Sequence, residues 1–337
     1  MRNYLSQLFI KAWYKPKLNW LSSLCLPLAS LFWLSTRVRL LLYRLGFKKT
    51  YKIPVPIVVV GNISVGGTGK TPLVIYLANL LKVAGYTPGI ISRGYGGKAP
   101  TYPFLVSATT PPKYSGDEPV LLAAHTHCPV VVDPQRVRAA HYLSHQTNCD
   151  VLISDDGLQH TALGRDLEIA VVDGARRFGN SHMLPAGPLR EPLTRLKTVD
   201  FIVNNGVAQA DEWEMQLNVV PLYHLHNRQR RTLESFAGQT VHAIAAIGNP
   251  QRFFRQLTQA GLTIIEHAFP DHYSFKPTDL DFAEHATVIM TEKDAVKCQH
   301  FPHQTIWVLA VYASLTEEFN RQFLGKLKAI SKTSCSL

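Results

Sequence analysis

Cysteine is scarce in this chain, and the five present (Cys25, Cys128, Cys149, Cys298 and Cys335) show no paired spacing. That excludes a disulfide framework and a zinc site of the usual spacing, and points to a reducing compartment. Acidic residues are outnumbered, 24 against 35 lysines and arginines, for a net charge of +11. The resulting basic surface suits phosphates, nucleic acid or an anionic membrane face. No internal repeat or low-complexity tract occurs, which excludes solenoids and fibres. Residues 291–294, TEKD, lack the asparagine of a guanine-reading motif and carry their lysine one place late, so adenine is the favoured base. A comfortable membrane span is also missing. The charge-free run at 18–35, LNWLSSLCLPLASLFWLS, would reach about 27 Å as a helix, just short of a hydrocarbon core.

That run is nevertheless bracketed by Lys11, Lys15 and Lys17 before it and by Arg37, Arg39, Arg44, Lys48 and Lys49 after it. No small-x-small cleavage site follows, so a secretory signal fits poorly. A buried core helix is one alternative. The flanking charges and the Trp20/Trp33 pair fit better with a helix that lies on, or shallowly crosses, a membrane, with the following domain on the cytoplasmic side.

The stretch 57–71, IVVVGNISVGGTGKT, organises the rest. Four β-branched residues predict a buried strand, and an apolar helical run begins at Leu73. Strand, glycine-rich turn, Lys-Thr and helix make a phosphate-binding loop, here Ser64, Val65, Gly66, Gly67, Thr68, Gly69, Lys70 and Thr71. Backbone N–H groups and the positive helix end would cradle the anion. Lys70 would reach the β/γ-phosphates and the Thr71 hydroxyl would ligate Mg²⁺. Ser64 stands where the usual pattern has glycine.

Strand-like and helical runs then alternate. Strands are expected at 87–92, 129–132, 151–154, 167–173 and 199–203, with helices at 118–124 and 136–145. This predicts an α/β fold, a parallel sheet with helices on both faces and its ligand at the strands' carboxyl ends. A polar, basic connection at 205–231 leads to a second alternating unit. There, strands are expected at 242–247, 264–268, 287–290 and 306–311, with a helix at 251–260. The expected division is a membrane-associating segment (1–50), a phosphate-loop domain (51–215), a smaller α/β domain (216–325) and a tail (326–337).

Several groups at these junctions could do chemistry. Asp155 and Asp156 end a strand beside the phosphate loop, where the Mg²⁺ partner of a nucleotide enzyme belongs, although Asp-Asp-Gly is also common turn chemistry. In YSGDEP, Asp117 and Glu118 precede a helix. They could cap it or accept a proton from a substrate hydroxyl, and pattern does not choose. Asp271-His272, in FPDHY, follow a strand end facing the cleft between the domains. Arg93 in SRGYGG, Arg136, Gln159, Arg190 and Glu191 are candidate substrate contacts, the arginines being suited to bidentate phosphate binding.

Taken together, GNISVGGTGKTP, SRGYGG, SGDEP, SDDGLQH, DGARRFGN, LPAGPLRE, FPDHY and MTEKDAVK resemble, in order, the motifs of tetraacyldisaccharide 4′-kinase, the lipid A kinase of Gram-negative bacteria. The resemblance runs from the basic N-terminus to about residue 311. Ser64 falls within that family's own pattern. The resemblance implies a P-loop NTPase-like fold and transfer of the ATP γ-phosphoryl group to the 4′-hydroxyl of an acylated glucosamine disaccharide 1-phosphate at the cytoplasmic face of the inner membrane. It further implies that Asp117 pairs with His272 to activate the hydroxyl, and that Asp155 and Asp156 handle Mg²⁺. Two rivals are a partitioning-type membrane ATPase, whose signature lysine is replaced here by Val65, and a nucleic-acid-binding ATPase. The second lacks any accompanying RNA-binding or helicase motif, so no nucleic-acid partner is expected.

Overall fold

The computed structural model describes residues 2–15, 18–282, 286–301 and 305–334. Eight strands open the sheet that carries the phosphate loop: β1 (Ile57–Gly61), β2 (Pro88–Ser92), β3 (Phe104–Val106), β4 (Val130–Val132), β5 (Val151–Asp155), β6 (Leu167–Asp173), β7 (Phe201–Asn205) and β8 (Trp213–Val219). From β8 through β7, β6, β1, β5 and β2 to β4 every pairing is parallel, and β3 closes that edge antiparallel. β1 is buried from end to end because helices cover both faces. Strand periodicity sends its residues alternately to the two layers. Val58 and Val60 meet Leu73, Leu77 and Leu81, and Ile57 and Val59 meet Ala139, Ala140 and Leu143. This is the expected doubly covered α/β sheet. The carboxyl ends of β1, β5 and β6 lie side by side, which places the phosphate loop beside Asp155, Asp156 and Asp173.

A second sheet follows: β9 (Leu222–His224), β10 (Arg230–Arg231), β11 (Thr240–Ala245), β12 (Thr263–Ala268), β13 (Val288–Thr291) and β14 (Ile306–Leu309). Its order is β10-β9-β14-β13-β11-β12, parallel from β14 to β12. The chain then returns. The single strand expected at 306–311 is two strands, because at Ala310 the backbone leaves the second sheet. β15 (Val311–Ser314) pairs antiparallel with β8 of the first sheet. The final helix, Glu317–Ser334, buries Phe319, Phe323 and Leu327 in the first lobe's core beside Phe201. The expected division at residues 215 and 325 does not follow this course. β8 runs on to Val219, and the last two elements belong to the first lobe, which is therefore built from both ends of the chain.

At the N-terminus the apolar run is broken into Trp20–Leu24 and Leu26–Arg44, with Pro27 in the first turn of the second helix, where its missing N–H costs nothing. A third helix, Arg2–Trp13, precedes them. Among the described residues no helix is long and apolar enough to cross a membrane. Cys25 and Ala29 pack on Ala186, and the Trp13 Nε1–H donates to the Pro185 carbonyl at 2.9 Å, fastening the segment to the first lobe. Leu28, Leu31, Leu34, Val38 and Leu41 recur at three- and four-residue spacing and are all exposed.

Candidate active site

The phosphate loop is held from several sides. The Val65 N–H donates to the Pro188 carbonyl at 2.8 Å, and the Arg190 N–H to Ile63 at 2.7 Å. Gly69 ends the loop in the left-handed region, at φ 97°, where a Cβ would collide with the Asn205 side chain. The Asn205 amide uses that space to donate to the Thr68 carbonyl at 3.0 Å. Helix Lys70–Val83 then starts, directing its unpaired N–H groups and positive dipole end at the loop. Lys70 Nζ lies 3.3 Å from Asn62 Oδ1 and 3.5 Å from Asp156 Oδ1.

Beside it stand Asp155, the last residue of β5, and Asp156, which follows it. Asp155 is buried, its Oδ1 has no hydrogen-bond partner, and burial followed by the nearby Glu118 carboxylate pushes its pKa up. Asp156 adopts φ 48° and takes both Arg190 guanidinium nitrogens, at 3.0 and 2.7 Å. Burial raises its pKa, but Lys70, Arg190 and Arg136 outweigh that and hold it below the ordinary value. An orphaned buried carboxylate oxygen next to an ionised carboxylate fits a hard divalent cation. Among the described residues no three His, Cys, Asp or Glu side chains form a ready-made cage. That suits Mg²⁺, which commonly uses one or two carboxylates and completes its shell with phosphates and water.

Arg136 and Arg190 fasten this corner. Arg136 is buried and donates to the Asp155 and Asp156 carbonyls at 3.4 and 3.0 Å. Gln159 accepts from Arg190 and donates to Glu191 and to the Asn62 carbonyl. Glu191 is buried behind it, paired with Arg195, and does not line the cleft. Arg93 does line the cleft, together with Arg39 of the N-terminal helix. Burial, then Arg136, Arg165, Arg93 and Arg39, depress His160 to about 4, and those arginines make this wall cationic.

Asp117 and His272 come from different lobes and meet here. Asp117 opens helix Asp117–Thr126, and His272, at φ 60°, follows β12. His272 Nδ1 sits 3.1 Å from both Asp117 carboxylate oxygens, with the Tyr95 ring 5.0 Å from the imidazole. Burial opposes the Asp117 charge, yet the His272 hydrogen bond and Lys293 and Lys297 overcome it and hold Asp117 at about 2. The TEKD stretch supplies Lys293, whose Nζ reaches Glu118 at 3.0 Å and Asp271 at 3.2 Å. Sequence reasoning weighed TEKD as a base-reading motif and as part of the family pattern MTEKDAVK, and gave its lysine no role. Its lysine shows its role only once β13 is placed against the first lobe.

Lys70, Asp155, Asp156, Arg93, His272 and Lys293 share one cleft of about 940 Å³, closed on one side by Phe32, Thr36 and Arg39 of the N-terminal helix. Thr71 lines a neighbouring cavity of about 220 Å³ between the lobes, with Lys70 on the boundary of both. Asn62, Asn205, Lys293 and Arg176 (described below) were not legible as site residues. Nothing in the local pattern singles any of them out.

The family model described as tetraacyldisaccharide-1-P 4′-kinase matches residues 21–328. A tetraacyldisaccharide 4′-kinase from Nitrosococcus oceani is 49% identical over 333 residues, covering 98% of both chains. One from Coxiella burnetii is 46% identical, covering 94% of each. The crystal structure of the "apo" form of LpxK from Aquifex aeolicus in complex with ATP superposes with a TM-score of 0.75 at 30% identity, over 92% of this chain and 98% of that one.

Proposed function

The chain belongs to the tetraacyldisaccharide-1-P 4′-kinase family, and from that premise we propose how its own residues perform the reaction. It is an ATP-dependent kinase of lipid A biosynthesis that phosphorylates the 4′-hydroxyl of a tetraacylated glucosamine disaccharide 1-phosphate. The observation that carries the residue assignment is the Asp117–His272 pair, 3.1 Å apart across two lobes, with His272 lining the same cleft as Lys70, Asp155 and Asp156.

Phosphoryl transfer needs positioning and charge neutralisation more than covalent help. The loop from Ser64 to Thr71 cradles the nucleotide phosphates, and Lys70 meets the β/γ oxygens. Asp155, Asp156 and the Thr71 hydroxyl would hold Mg²⁺, which when bound neutralises phosphate charge. Asp117 accepts the 4′-hydroxyl proton late in transfer. A carboxylate held at about 2 is a weak base, which suits a loose transition state in which the nucleophile gains little charge before bond formation. His272 orients Asp117 and arrives only when the lobes meet, which excludes water from the reacting phosphate. Arg39, Arg93 and Arg136 favour the anionic acceptor.

Helix Leu26–Arg44 lines the cleft with Phe32, Ser35, Thr36 and Arg39, and its exposed apolar stripe would dip into the bilayer, keeping the enzyme on the cytoplasmic face while lipid acyl chains stay in the membrane. A partitioning-type switch is disfavoured because Val65 offers no cation to a second protomer. Purified protein is expected to transfer the γ-phosphoryl of labelled ATP to the lipid in detergent micelles. Lys70→Ala is expected to lower turnover about 10²–10³-fold with melting unchanged, as for loss of a transition-state charge contact. Wild-type turnover by Lys70→Ala would overturn the assignment.

A further inference from the structure

The DGARRFGN stretch follows β6, and the catalytic reading gives it no role. Its Arg176 is half-buried and spreads its donors over three separate segments. Nε donates to Asp173 Oδ2 at 2.7 Å, Nη1 to the Gly248 carbonyl at 2.9 Å, and Nη2 to the Gly67 carbonyl at 3.0 Å. Gly67 is the middle of the phosphate loop. Gly248 belongs to the second lobe, between β11 and helix Pro250–Gln259. The two backbones touch: a Cβ on Gly248 would collide with the Gly67 amide nitrogen. Asp173 fixes the guanidinium from below and also accepts from Asn249 Nδ2 at 3.3 Å, so both arms of the contact rest on one carboxylate. From the N-terminal segment, the Tyr14 ring covers the guanidinium at 5.1 Å, and its hydroxyl donates to the Val65 carbonyl at 3.3 Å.

We propose that Arg176 is a positioning residue for phosphoryl transfer, a clasp tying the phosphate loop to the second lobe so that loop shape and lobe closure are set together. This rests on the kinase reading above. The planar fork is essential: three acceptors in three directions match a guanidinium and not an ammonium. Arg176 follows β6, on one side of β1 in the sheet, whereas helix Asp117–Thr126 leads into β4 on the other side. Separated ties then define one closed arrangement, and losing the clasp loosens the phosphate-loop side of it. Tyr14 extends the clasp to the membrane-facing segment.

The test uses the full-length enzyme. Hydrogen–deuterium exchange with a nonhydrolysable ATP analogue should show protection of residues 64–69 and 246–249 in the wild type. In Arg176→Gln only 64–69 should remain protected. Turnover at saturating ATP and lipid should fall about tenfold, with the lipid KM within twofold and the melting temperature little changed. Beside His272→Ala the same substitution should cost less than twofold, because closure there no longer delivers the imidazole. Arg176→Lys, which keeps the charge and loses the fork, should behave like Arg176→Gln, and it supplies the comparison where the glutamine variant does not fold. Wild-type protection of both segments by the variants overturns the proposal, as does a tenfold loss undiminished beside His272→Ala. Failure of the wild type to phosphorylate the lipid would remove the kinase reading instead, and the exchange pattern would still decide the clasp.

Discussion

His272 shows how one residue links acidity to lobe closure. Burial, and then the Lys293 charge, lower its pKa, but the hydrogen bond to Asp117 together with the Asp117 and Asp271 charges outweighs them, so the imidazole in the closed arrangement ends above its ordinary value. Asp117 moves the other way, to about 2. A raised imidazole stabilises the contact fully below the free-histidine value of about 6.5, and the contribution is lost as pH climbs through the raised pKa. A depressed carboxylate contributes above about 4 and loses its contribution as pH falls toward 2. The contact is therefore strongest between about pH 4 and 6.5. The melting-temperature difference between the wild type and His272→Gln should be greatest in that window and shrink at higher pH. A difference that instead grew toward pH 9 would remove this account of the pair.

At the scale of elements, two helices fit poorly with the linear division of the chain. Helix Glu317–Ser334 is the C-terminal end of the sequence yet fills the core of the first lobe, with Phe319 and Phe323 fully buried and the Phe319 ring 5.4 Å from that of Phe201. Phe319→Ala should cost about 3–5 kcal/mol, as for other buried aromatic truncations. The loss should appear in denaturant unfolding followed through a first-lobe signal such as Trp213. A cost under 1 kcal/mol would mean that the helix merely rests on the lobe. Helix Leu26–Arg44 makes the opposite use of apolar surface, presenting it to solvent. Converting Leu28, Leu31 and Leu34 together to serine should lower partitioning onto anionic vesicles at least tenfold and leave melting unchanged, since none is buried. Retention of full vesicle binding would move the membrane contact to another surface.

At the scale of the whole molecule, the Asp117–His272 pair exists only because two sheets face one another. Asp117 and His272 lie 155 residues apart, and Lys293 to Glu118 ties the same lobes again at 3.0 Å. Groups that act as one unit are non-additive. Asp117→Ala and His272→Ala should each lower turnover by about 10²-fold or more, and the double variant should be little worse than the poorer single one. If the two losses multiplied while melting temperatures fell in parallel, the pair would be a structural tie and not a working unit.

What the sequence by itself determined is what lies contiguous in it. The run IVVVGNISVGGTGKT carries its strand, loop and helix start within a few residues, so backbone geometry and dipole direction follow without any distant partner. The alternation of apolar strands and helices likewise dictated a doubly covered sheet, because β-branched runs such as VVV at 130–132 must be buried on both faces. The Asp117–His272 pairing was available only through resemblance to a family, since local pattern left Asp117 equally a helix cap. Tertiary structure decided the rest. It split the apolar run at 306–311 between two sheets at Ala310, which no hydrophobic pattern could reveal, because both halves are equally strand-like. It also gave Lys293, Asn205 and Arg176 their partners. Each reaches a partner from a distant part of the chain, and its chemistry is set by what the fold brings within about 3 Å.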